Sequence, residues 1–200
     1  DYGILDAFVN DDEIYFQDNN RTLFKIENEK SLVYLSAAAL NQNQVVGLVN
    51  TSAGQLIVTR ENGLFLNARN LKATQPQLSK SLAQDVVYSF TQAANGQLIL
   101  GTVKNGVYIL SERGALVHHI NVDSGLNNDT VLSVFSDNRG VWLGLDDGLA
   151  YVKLEAAIQQ YNSQREAIGT AYATIVFNQY LYVGTNQGLF YRRHNVDEPL

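Results

Sequence analysis

The sequence predicts an all-β fold, and three observations carry that prediction. Hydrophobic residues make up 46% of the 200 residues, and the chain has 11 Tyr, 15 Gly and only 2 Pro, a composition typical of strands joined by tight turns. Short apolar segments alternate with glycine-containing turns along most of the chain. The same order of segments returns about every forty residues, whereas helix-like composition appears only briefly, in LSAAAL (35–40).

The repeat is clearest in four strand pairs, each joined by a hairpin. These pairs read GQLIVTRENGLFLN (54–67), GQLILGTVKNGVYIL (96–110), GVWLGLDDGLAYV (140–152) and QYLYVGTNQGLFYR (179–192). The glycines of their hairpins are 43, 42 and 40 residues apart, at Gly63, Gly106, Gly148 and Gly188. A degenerate copy, EIYFQDNNRTLFKI (13–26), carries Thr22 at the equivalent position. The chain therefore holds five copies of one unit.

Each copy also has an apolar strand before the pair. These strands are GILDAFV (3–9), QVVGLVN (44–50), DVVYSFT (85–91), DTVLSVFS (129–136) and TAYATIVF (170–177). More polar strands follow the pair at SLVYLS (31–36), GALVHHINV (114–122) and AIQQYNS (157–163). In the second copy this place holds the poorly patterned LKATQPQLS (71–79), and the fifth copy has no fourth strand. Four antiparallel strands that become more polar outwards are typical of a propeller blade.

We therefore predict that residues 1–200 form a single β-propeller region of about five four-stranded blades. The repeats span approximately 1–40, 41–82, 83–124, 125–165 and 166–200, the last without its fourth strand. Because the chain opens with an innermost strand, its N-terminus cannot supply the strand that the fifth copy lacks. This asymmetry, with the absence of Met at position 1, favours a portion of a larger propeller of the seven-bladed type. A closed ring of five blades is the alternative.

Charge and composition exclude several classes of function. The net charge is −6 and the longest basic run is Arg192 to His194, so we expect no direct contact with nucleic acid. The chain has no Cys and three His, which disfavours a metal site, and no cofactor motif is present. No apolar run approaches a membrane span of roughly 20 residues, and the sequence contains no signal-peptide pattern.

The stretch GLNNDTVLSVFSDNRGVWLGLDDGL (125–149) resembles the two-component regulator propeller repeat. That repeat runs GL-(S/N)-N-(D/N)-x-V, a strand, D-x-x-G-x-(V/I/L)-W-(I/L)-G, and a Gly-Leu turn. The main departure is Leu145, where the repeat more often has Thr. The resemblance covers essentially the whole chain, strongly over 96–192 and weakly over 1–95.

The resemblance implies a bacterial protein of the kind common in Bacteroidetes. Propellers of this family form the extracytoplasmic, periplasmic sensor of an inner-membrane receptor. A β-sandwich with three tyrosines and a membrane helix typically follow, then a histidine kinase or a helix-turn-helix DNA-binding domain. The style of this sequence is closest to the branch with a DNA-binding output. Any contact with the membrane, and any homodimer, would come through those further segments of a full-length receptor.

The acidic residues at the starts of the innermost strands have a structural and a functional interpretation. Asp85 and Asp129, with Asn43 as their counterpart, stand where an innermost strand begins. There they either cap backbone amides, which we favour, or face the channel as glycosidase carboxylates. Asp137 is expected in an Asx-type turn, and Trp142 in the core between blades.

His118 and His119 are expected on opposite faces of the fourth strand, where they cannot both line one site. We predict a non-catalytic ligand-sensing or interaction propeller of a signal-transduction or transcription regulator, with a glycan fragment as a candidate ligand. The alternatives are a protein–protein scaffold without a small ligand, and a propeller glycosidase. Ligand contacts are expected in the turns between strands, because function on propellers collects on loops. The candidate residues are Asn127, Asn128, Asp129, Lys104, Asn105, Asp146, Asp147, Asn186 and Gln187.

Overall fold

The computed structural model describes residues 3–68, 70–137, 139–154 and 170–193. The chain divides into two compact units, Asp1–Glu155 and Ala156–Leu200. Within the described ranges the strands form five antiparallel sheets, one in each predicted repeat, and the prediction of an all-β fold is confirmed.

The first unit contains sheets 1 to 4, in each of which neighbours in sequence are neighbours in space. Sheet 1 contains β1 (Ile4–Asn10), β2 (Glu13–Asp18), β3 (Leu23–Glu27) and β4 (Lys30–Leu35). Sheet 2 contains β5 (Val45–Thr51), β6 (Gly54–Thr59), β7 (Leu64–Asn67) and β8 (Leu71–Thr74). Sheet 3 contains β9 (Val87–Gln92), β10 (Leu98–Thr102), β11 (Val107–Leu110) and β12 (Leu116–Ile120). Sheet 4 contains β13 (Val131–Ser136), β14 (Val141–Leu145) and β15 (Gly148–Val152).

The second unit contributes sheet 5 to the described residues. Its strands are β16 (Ala171–Phe177), β17 (Tyr180–Thr185) and β18 (Gly188–Arg193), paired in sequence order. The fourth strand predicted for the fourth copy, at 157–163, lies outside the described residues.

Three apolar clusters hold the first unit together. Tyr15 and Leu23 of sheet 1 meet Ile57 of sheet 2 in the first cluster. Sheets 2 and 3 share the second cluster, and sheets 3 and 4 share the third. Sheet 3 contributes to two clusters because successive side chains of a strand point to opposite faces of the sheet. In β10, Leu100 packs towards sheet 2, whereas its neighbour Ile99 packs towards sheet 4. Sheets 2 and 3 are therefore buried on both faces.

In the described part of the chain, an α-helix interrupts the repeat where the sequence pattern is weakest. After the short strand β8, helix α1 (Pro76–Asp85) crosses to the start of β9. Proline stands in its first turn, where a missing N–H costs nothing, and Leu82 buries its side chain in the cluster between sheets 2 and 3. The innermost strand of the third copy consequently begins at Val87 and not at residue 85. No described helix has the length and apolarity of a membrane span.

The hairpin glycines have the conformations that the sequence predicts. Gly63 and Gly106 adopt φ of +73° and +70°, values that L-residues rarely adopt. A side chain at Gly106 would also collide with the backbone at Ile120, so this hairpin needs glycine for space as well as for conformation. These turns bring the start of the next innermost strand close to the hairpin.

Candidate functional site

The rim is the end of sheets 3 and 4 at which the innermost strands begin. It comprises Asp85–Val86, the hairpin 102–107 and the segment 121–130. The hairpin is fixed to both strand starts, because the Lys104 amide donates to the carbonyl of Asp85 (3.2 Å) and the Gly106 amide donates to that of Asp129 (2.7 Å). The hydroxyl of Thr130 adds a third bond by donating to the carbonyl of Val103 (2.8 Å). The rim is thus one hydrogen-bonded platform.

Asp85 is the last residue of α1, and its carboxylate is bound by two side chains. Its Oδ2 accepts a hydrogen bond from the Tyr108 hydroxyl at 2.5 Å and from Asn105 Nδ2 at 3.1 Å. Burial, and then the bond to Asp85, raise the pKa of Tyr108 far above its usual range, so the phenol remains a neutral donor. The expectation that Asp85 caps backbone amides is therefore wrong, because a buried tyrosine and an asparagine take its acceptor positions.

His119 covers the buried face of Tyr108. The two residues are direct partners across β11 and β12, and their rings stack with centroids 4.1 Å apart. Nε2 of His119 lies 2.7 Å from the carbonyl oxygen of Asn105, which can only accept, so this nitrogen carries the proton. Asn105 Oδ1 in turn accepts from Asn121 Nδ2 at 3.1 Å. We name Asp85, Asn105, Tyr108, His119 and Asn121 the rim cluster.

A groove of about 600 Å³ opens between α1 and the outer strands of sheet 3, beside the rim cluster. It is lined by Gln75, Pro76, Gln77, Leu78, Ser81, Tyr108, Leu116 and His119. Two amides, a hydroxyl and two aromatic rings thus face the same space as three apolar side chains. None of these lining residues is an Asp, Glu, Lys or Arg. Such a lining suits an uncharged polar molecule that also has an apolar surface.

Helix α1 is held firmly enough to form one wall of this groove. Ser79 Oγ accepts from the amide of Leu64 (3.0 Å) and donates to the carbonyl of Thr74 (2.7 Å). At the far end, Val86 adopts a φ of +61°, which is rare for a β-branched residue. Its amide donates to the Leu82 carbonyl and its carbonyl accepts from Val103, so both sides of the strained peptide are bonded. Strain of this kind persists only where the surroundings fix the backbone.

The nine predicted ligand residues are not brought into one cluster. Lys104, Asn105 and Asp129 lie in the rim, where Asp129 Oδ1 accepts from the amide of Val122 (2.8 Å). Asn128 Oδ1 accepts from the amide of Thr130 (2.7 Å), and Asn127 is exposed beside it. Asp129 thus caps a backbone amide, as expected for a residue at the start of an innermost strand. Asn43, its counterpart in the second repeat, does the same by accepting from the amide of Glu61 (2.9 Å).

The other four predicted residues lie in hairpins elsewhere. Asp146 and Asp147 are exposed in the turn between β14 and β15. Asn186 and Gln187 belong to the second unit, where Asn186 Oδ1 accepts from the amide of Thr170 at 2.9 Å and the Gln187 amide donates to Thr185 Oγ1 at 3.0 Å. A role for these four in ligand binding stays a prediction.

Asp137 forms the expected Asx-type turn. Its Oδ1 accepts from the amides of Arg139 (2.7 Å) and Gly140 (2.8 Å). These backbone bonds, the Arg139 amide first, lower the pKa of Asp137 below its usual value. Trp142 is not in the core, since 40% of it is exposed, its indole donates to Asp137 Oδ2 (3.2 Å) and its ring packs on Tyr151. The expected burial of Trp142 is wrong because its face of β14 is opposite to the one that carries Leu143.

The helix and the residues that complete the groove were not predicted from the sequence. The sequence pattern predicts only a strand at Tyr108 and only a weak fourth strand over 71–79, and it assigns no element to Ser81. A signal for the helix existed, because Pro76 precedes a run of good helix formers, LSKSLAQ (78–84). Among the described residues, no group of three or more His, Asp or Glu is placed to hold a metal ion.

The chain is similar to known proteins in its structure, but its sequence matches no known family. No family of known proteins matches the sequence, and neither does any curated protein. The extracellular domain of the hybrid two-component system BT3049 from B. thetaiotaomicron matches 100% of this chain with a TM-score of 0.59 and 15% identity. The extracellular domain of the hybrid two-component system BT4673 from the same organism matches 98% of it, with a TM-score of 0.55 and 19% identity.

A WD40 propeller provides a third comparison. The WD40 β-propeller domain of Doa1 matches 77% of this chain with a TM-score of 0.56 and 16% identity. The chain spans 29% and 30% of the length of the two extracellular domains, and 51% of the Doa1 chain. The chain therefore shares its all-β fold with a WD40 propeller and with extracellular domains of Bacteroides hybrid two-component systems.

Proposed function

We propose that this chain is part of the periplasmic sensor region of a membrane-anchored bacterial signalling regulator, and that it binds a ligand without catalysing a reaction. The fold shared with extracellular domains of two-component systems over the whole chain supports the sensor role. The observation that carries the binding role is the groove beside the rim cluster, where polar groups and aromatic rings face one space.

The ligand class follows from the chemistry of the groove. The amides of Gln75 and Gln77 and the hydroxyl of Ser81 each donate and accept hydrogen bonds, as sugar hydroxyls require. The exposed side of the His119 ring offers a flat surface for the C–H face of a pyranose, and Leu78 and Leu116 extend that surface. A neutral oligosaccharide fragment combines these properties, and it is the ligand that we propose.

The carboxylates near the groove have structural partners, which favours binding over hydrolysis. A glycosidase requires an acid and a base about 5–10 Å apart with the substrate between them. Asp85 is instead bonded to Tyr108 and Asn105, and Asp129 to the amide of Val122. Each carboxylate fixes its neighbours in the rim.

Signalling would follow from the position of the groove. One wall is α1 of the second repeat and the other is sheet 3, so a ligand that contacts both walls stabilises one relative placement of the two. A preference for one arrangement is the only way in which a ligand shifts a conformational equilibrium. In the full-length receptor, this shift would be passed to an output on the other side of the membrane.

Adjacent histidines provide the test. His119→Ala removes the ring that lines the groove, whereas His118→Ala changes the neighbouring residue on the opposite face of β12. We expect neutral oligosaccharides to raise the melting temperature of the unmodified chain and of His118→Ala. We also expect calorimetric titration to show at least tenfold weaker binding to His119→Ala.

Two outcomes would contradict the proposal. Equal binding by both variants would place the ligand elsewhere. No binding of any oligosaccharide to the folded protein would favour the protein–protein scaffold instead.

A further inference from the structure

Three asparagines of this chain precede a glycine, and each lies in a turn between two strands: Asn62, Asn95 and Asn105. An Asn-Gly peptide carries its own nucleophile, because the backbone nitrogen of the glycine can reach the side-chain carbonyl carbon of the asparagine. Glycine leaves this nitrogen unhindered, since it has no side chain, and its backbone turns freely unless the fold holds it. The three dipeptides are identical in sequence, so only their surroundings can make them react differently.

The reaction at such a dipeptide is a cyclisation followed by hydrolysis. The glycine nitrogen forms a bond to the side-chain carbonyl carbon, the bond from that carbon to Nδ2 breaks, and Nδ2 leaves as ammonia with the proton of the glycine amide. Water then opens the five-membered imide at one of its two carbonyls, which leaves aspartate or isoaspartate. The cyclisation requires the peptide plane between the two residues to turn, and negative charge develops on the side-chain oxygen as the ring closes.

Asn95 meets these requirements. Its side chain is exposed in the turn between β9 and β10. Its Oδ1 accepts a hydrogen bond from the amide of Gln97 at 3.1 Å, and this donor stabilises the charge that develops on the oxygen. A Cβ at Gly96 would meet no atom beyond its chain neighbours closer than 3.8 Å, so this glycine has room to turn. Its amide gives up one bond, to the carbonyl of Ala93 (2.9 Å), which water can replace.

Asn105 is held on both sides of its peptide. Its Nδ2 donates to Asp85 Oδ2 at 3.1 Å, and its Oδ1 accepts from Asn121 Nδ2 at 3.1 Å, so the side chain cannot turn towards its own backbone without losing two bonds. The amide of Gly106 donates to the carbonyl of Asp129 at 2.7 Å, and backbone atoms at the end of β12 enclose this glycine. Gly106 therefore has neither a free amide nor room to turn.

Contact with helix α1 protects Asn62. Its glycine, Gly63, is buried against Ser79 of the helix, and a Cβ at Gly63 would collide with that serine. The next amide, that of Leu64, donates to Ser79 Oγ at 3.0 Å and keeps the hairpin on the helix. A turn of the peptide between Asn62 and Gly63 would therefore push the hairpin away from α1.

We propose that the fold directs spontaneous deamidation to Asn95 and protects Asn62 and Asn105, so that the folded chain acquires aspartate and isoaspartate at position 95. The modified turn lies at the end of sheet 3 opposite to the rim. The new carboxylate lies near Glu112, whose Oε2 is 3.8 Å from the place of a Cβ on Gly96. The amide of Asn105, a member of the rim cluster, is preserved. This modification does not depend on the function proposed for the groove.

Peptide mass spectrometry tests the proposal by following the three asparagines while the chain is incubated in mildly alkaline buffer. In the folded chain, we expect Asn95 to deamidate at least tenfold faster than Asn62 or Asn105. In urea, where the fold no longer holds the glycines, the three rates should become alike. An isoaspartyl methyltransferase assay on the folded samples should report isoaspartate in the peptide that contains residue 95.

Two variants separate the protection of each asparagine from overall stability. Asn95→Gln should abolish most of the isoaspartate formed by the folded chain, because a glutamine has to close a larger ring. Ser79→Ala removes the contact that holds the hairpin at Gly63, and it should accelerate deamidation at Asn62 but not at Asn105. The rate at Asn105 in the same sample thus serves as the control for folding.

Equal rates at the three asparagines of the folded chain would overturn the proposal, and so would a faster reaction at Asn62 or Asn105 than at Asn95. An Asn95 that reacts in urea but not in the folded chain would overturn it as well, since the bond from the Gln97 amide would then protect the side chain.

Discussion

Sheet 3 and sheet 1 are built from the same repeat, yet they bury their residues differently. Sheet 3 is covered by sheet 2 on one face and by sheet 4 on the other, so all residues of β10 and β11 are buried. Within the described part of the first unit, sheet 1 is covered on one face only, by sheet 2. Its other face exposes 75% of Val9, 63% of Val33 and 46% of Ile14. The same apolar pattern is therefore buried on both faces of sheet 3 and on one face of sheet 1.

This difference shows how a stacked repeat is stabilised. A sheet whose two faces are both apolar gains its full burial energy only between two neighbours. Phe16 and Phe24 stack on each other on the outer face of sheet 1, with centroids 5.0 Å apart, and Val33 lies directly across from Phe24. Apolar residues at equivalent places in the repeat should accordingly differ in their contribution to stability.

The largest expected effect is in the doubly covered sheet. Leu100→Ala removes a fully buried side chain between sheets 2 and 3 and leaves a cavity there. We expect a loss of about 2–5 kcal/mol in the free energy of unfolding. Urea unfolding followed by tryptophan fluorescence measures it. A loss below about 1 kcal/mol would mean that the interface between these sheets is looser than described.

An intermediate effect is expected in the polar layer that joins sheets 1 and 2. The hydroxyl of Tyr15 donates to Glu13 (2.7 Å) and accepts from Gln55 (3.4 Å). Burial, and then the bond to Glu13, raise the pKa of Tyr15 to about 12. The stability from its neutral form is complete below the unfolded pKa of about 10 and is lost as the pH rises through 12.

Tyr15→Phe tests this assignment because it keeps the ring and removes the titrating hydroxyl. We expect the variant to lose about 1 kcal/mol of stability at pH 7. Its melting temperature should also fall less steeply than that of the unmodified chain between pH 10 and 12. Parallel curves for the two proteins over that interval would show that Tyr15 does not contribute to the alkaline transition.

The smallest effect is expected on the outer face of sheet 1. Val33→Ala removes apolar surface that is largely exposed, so the free energy of unfolding should change by no more than about 0.5 kcal/mol. The same urea measurement, beside Leu100→Ala, compares the two faces directly. A loss above about 1.5 kcal/mol would show that Val33 is covered in solution and would remove the contrast between the sheets.

Hydrophobic alternation and glycine spacing were sufficient to predict the strands of the repeat. The first strand of the second copy was expected at 44–50 and is found at Val45–Thr51, and the hairpin glycines have the predicted positive φ. The pattern failed at Pro76–Asp85, because a helix that packs only its Leu82 side into the core has too little apolar periodicity to be recognised. The pattern also predicted Trp142 in the core, because alternation alone does not say which face of a sheet is covered.

The candidate sites were less predictable than the fold. Asp85, Asn105 and His119 stand out in the sequence, but no pattern joins them, since they come from a helix, a hairpin and the fourth strand of sheet 3. The groove forms only because α1 crosses from sheet 2 to sheet 3.

Local chemistry thus determined the strands, the turns and the repeat, because alternation and backbone preference act between residues close in sequence. Residues distant in sequence determined the sites. The bond from Tyr108 to Asp85 spans 23 positions, so neither partner indicates the other before folding. Burial then gives this contact its significance, because a polar group is forced to find a partner, or a ligand, only after its water has been removed.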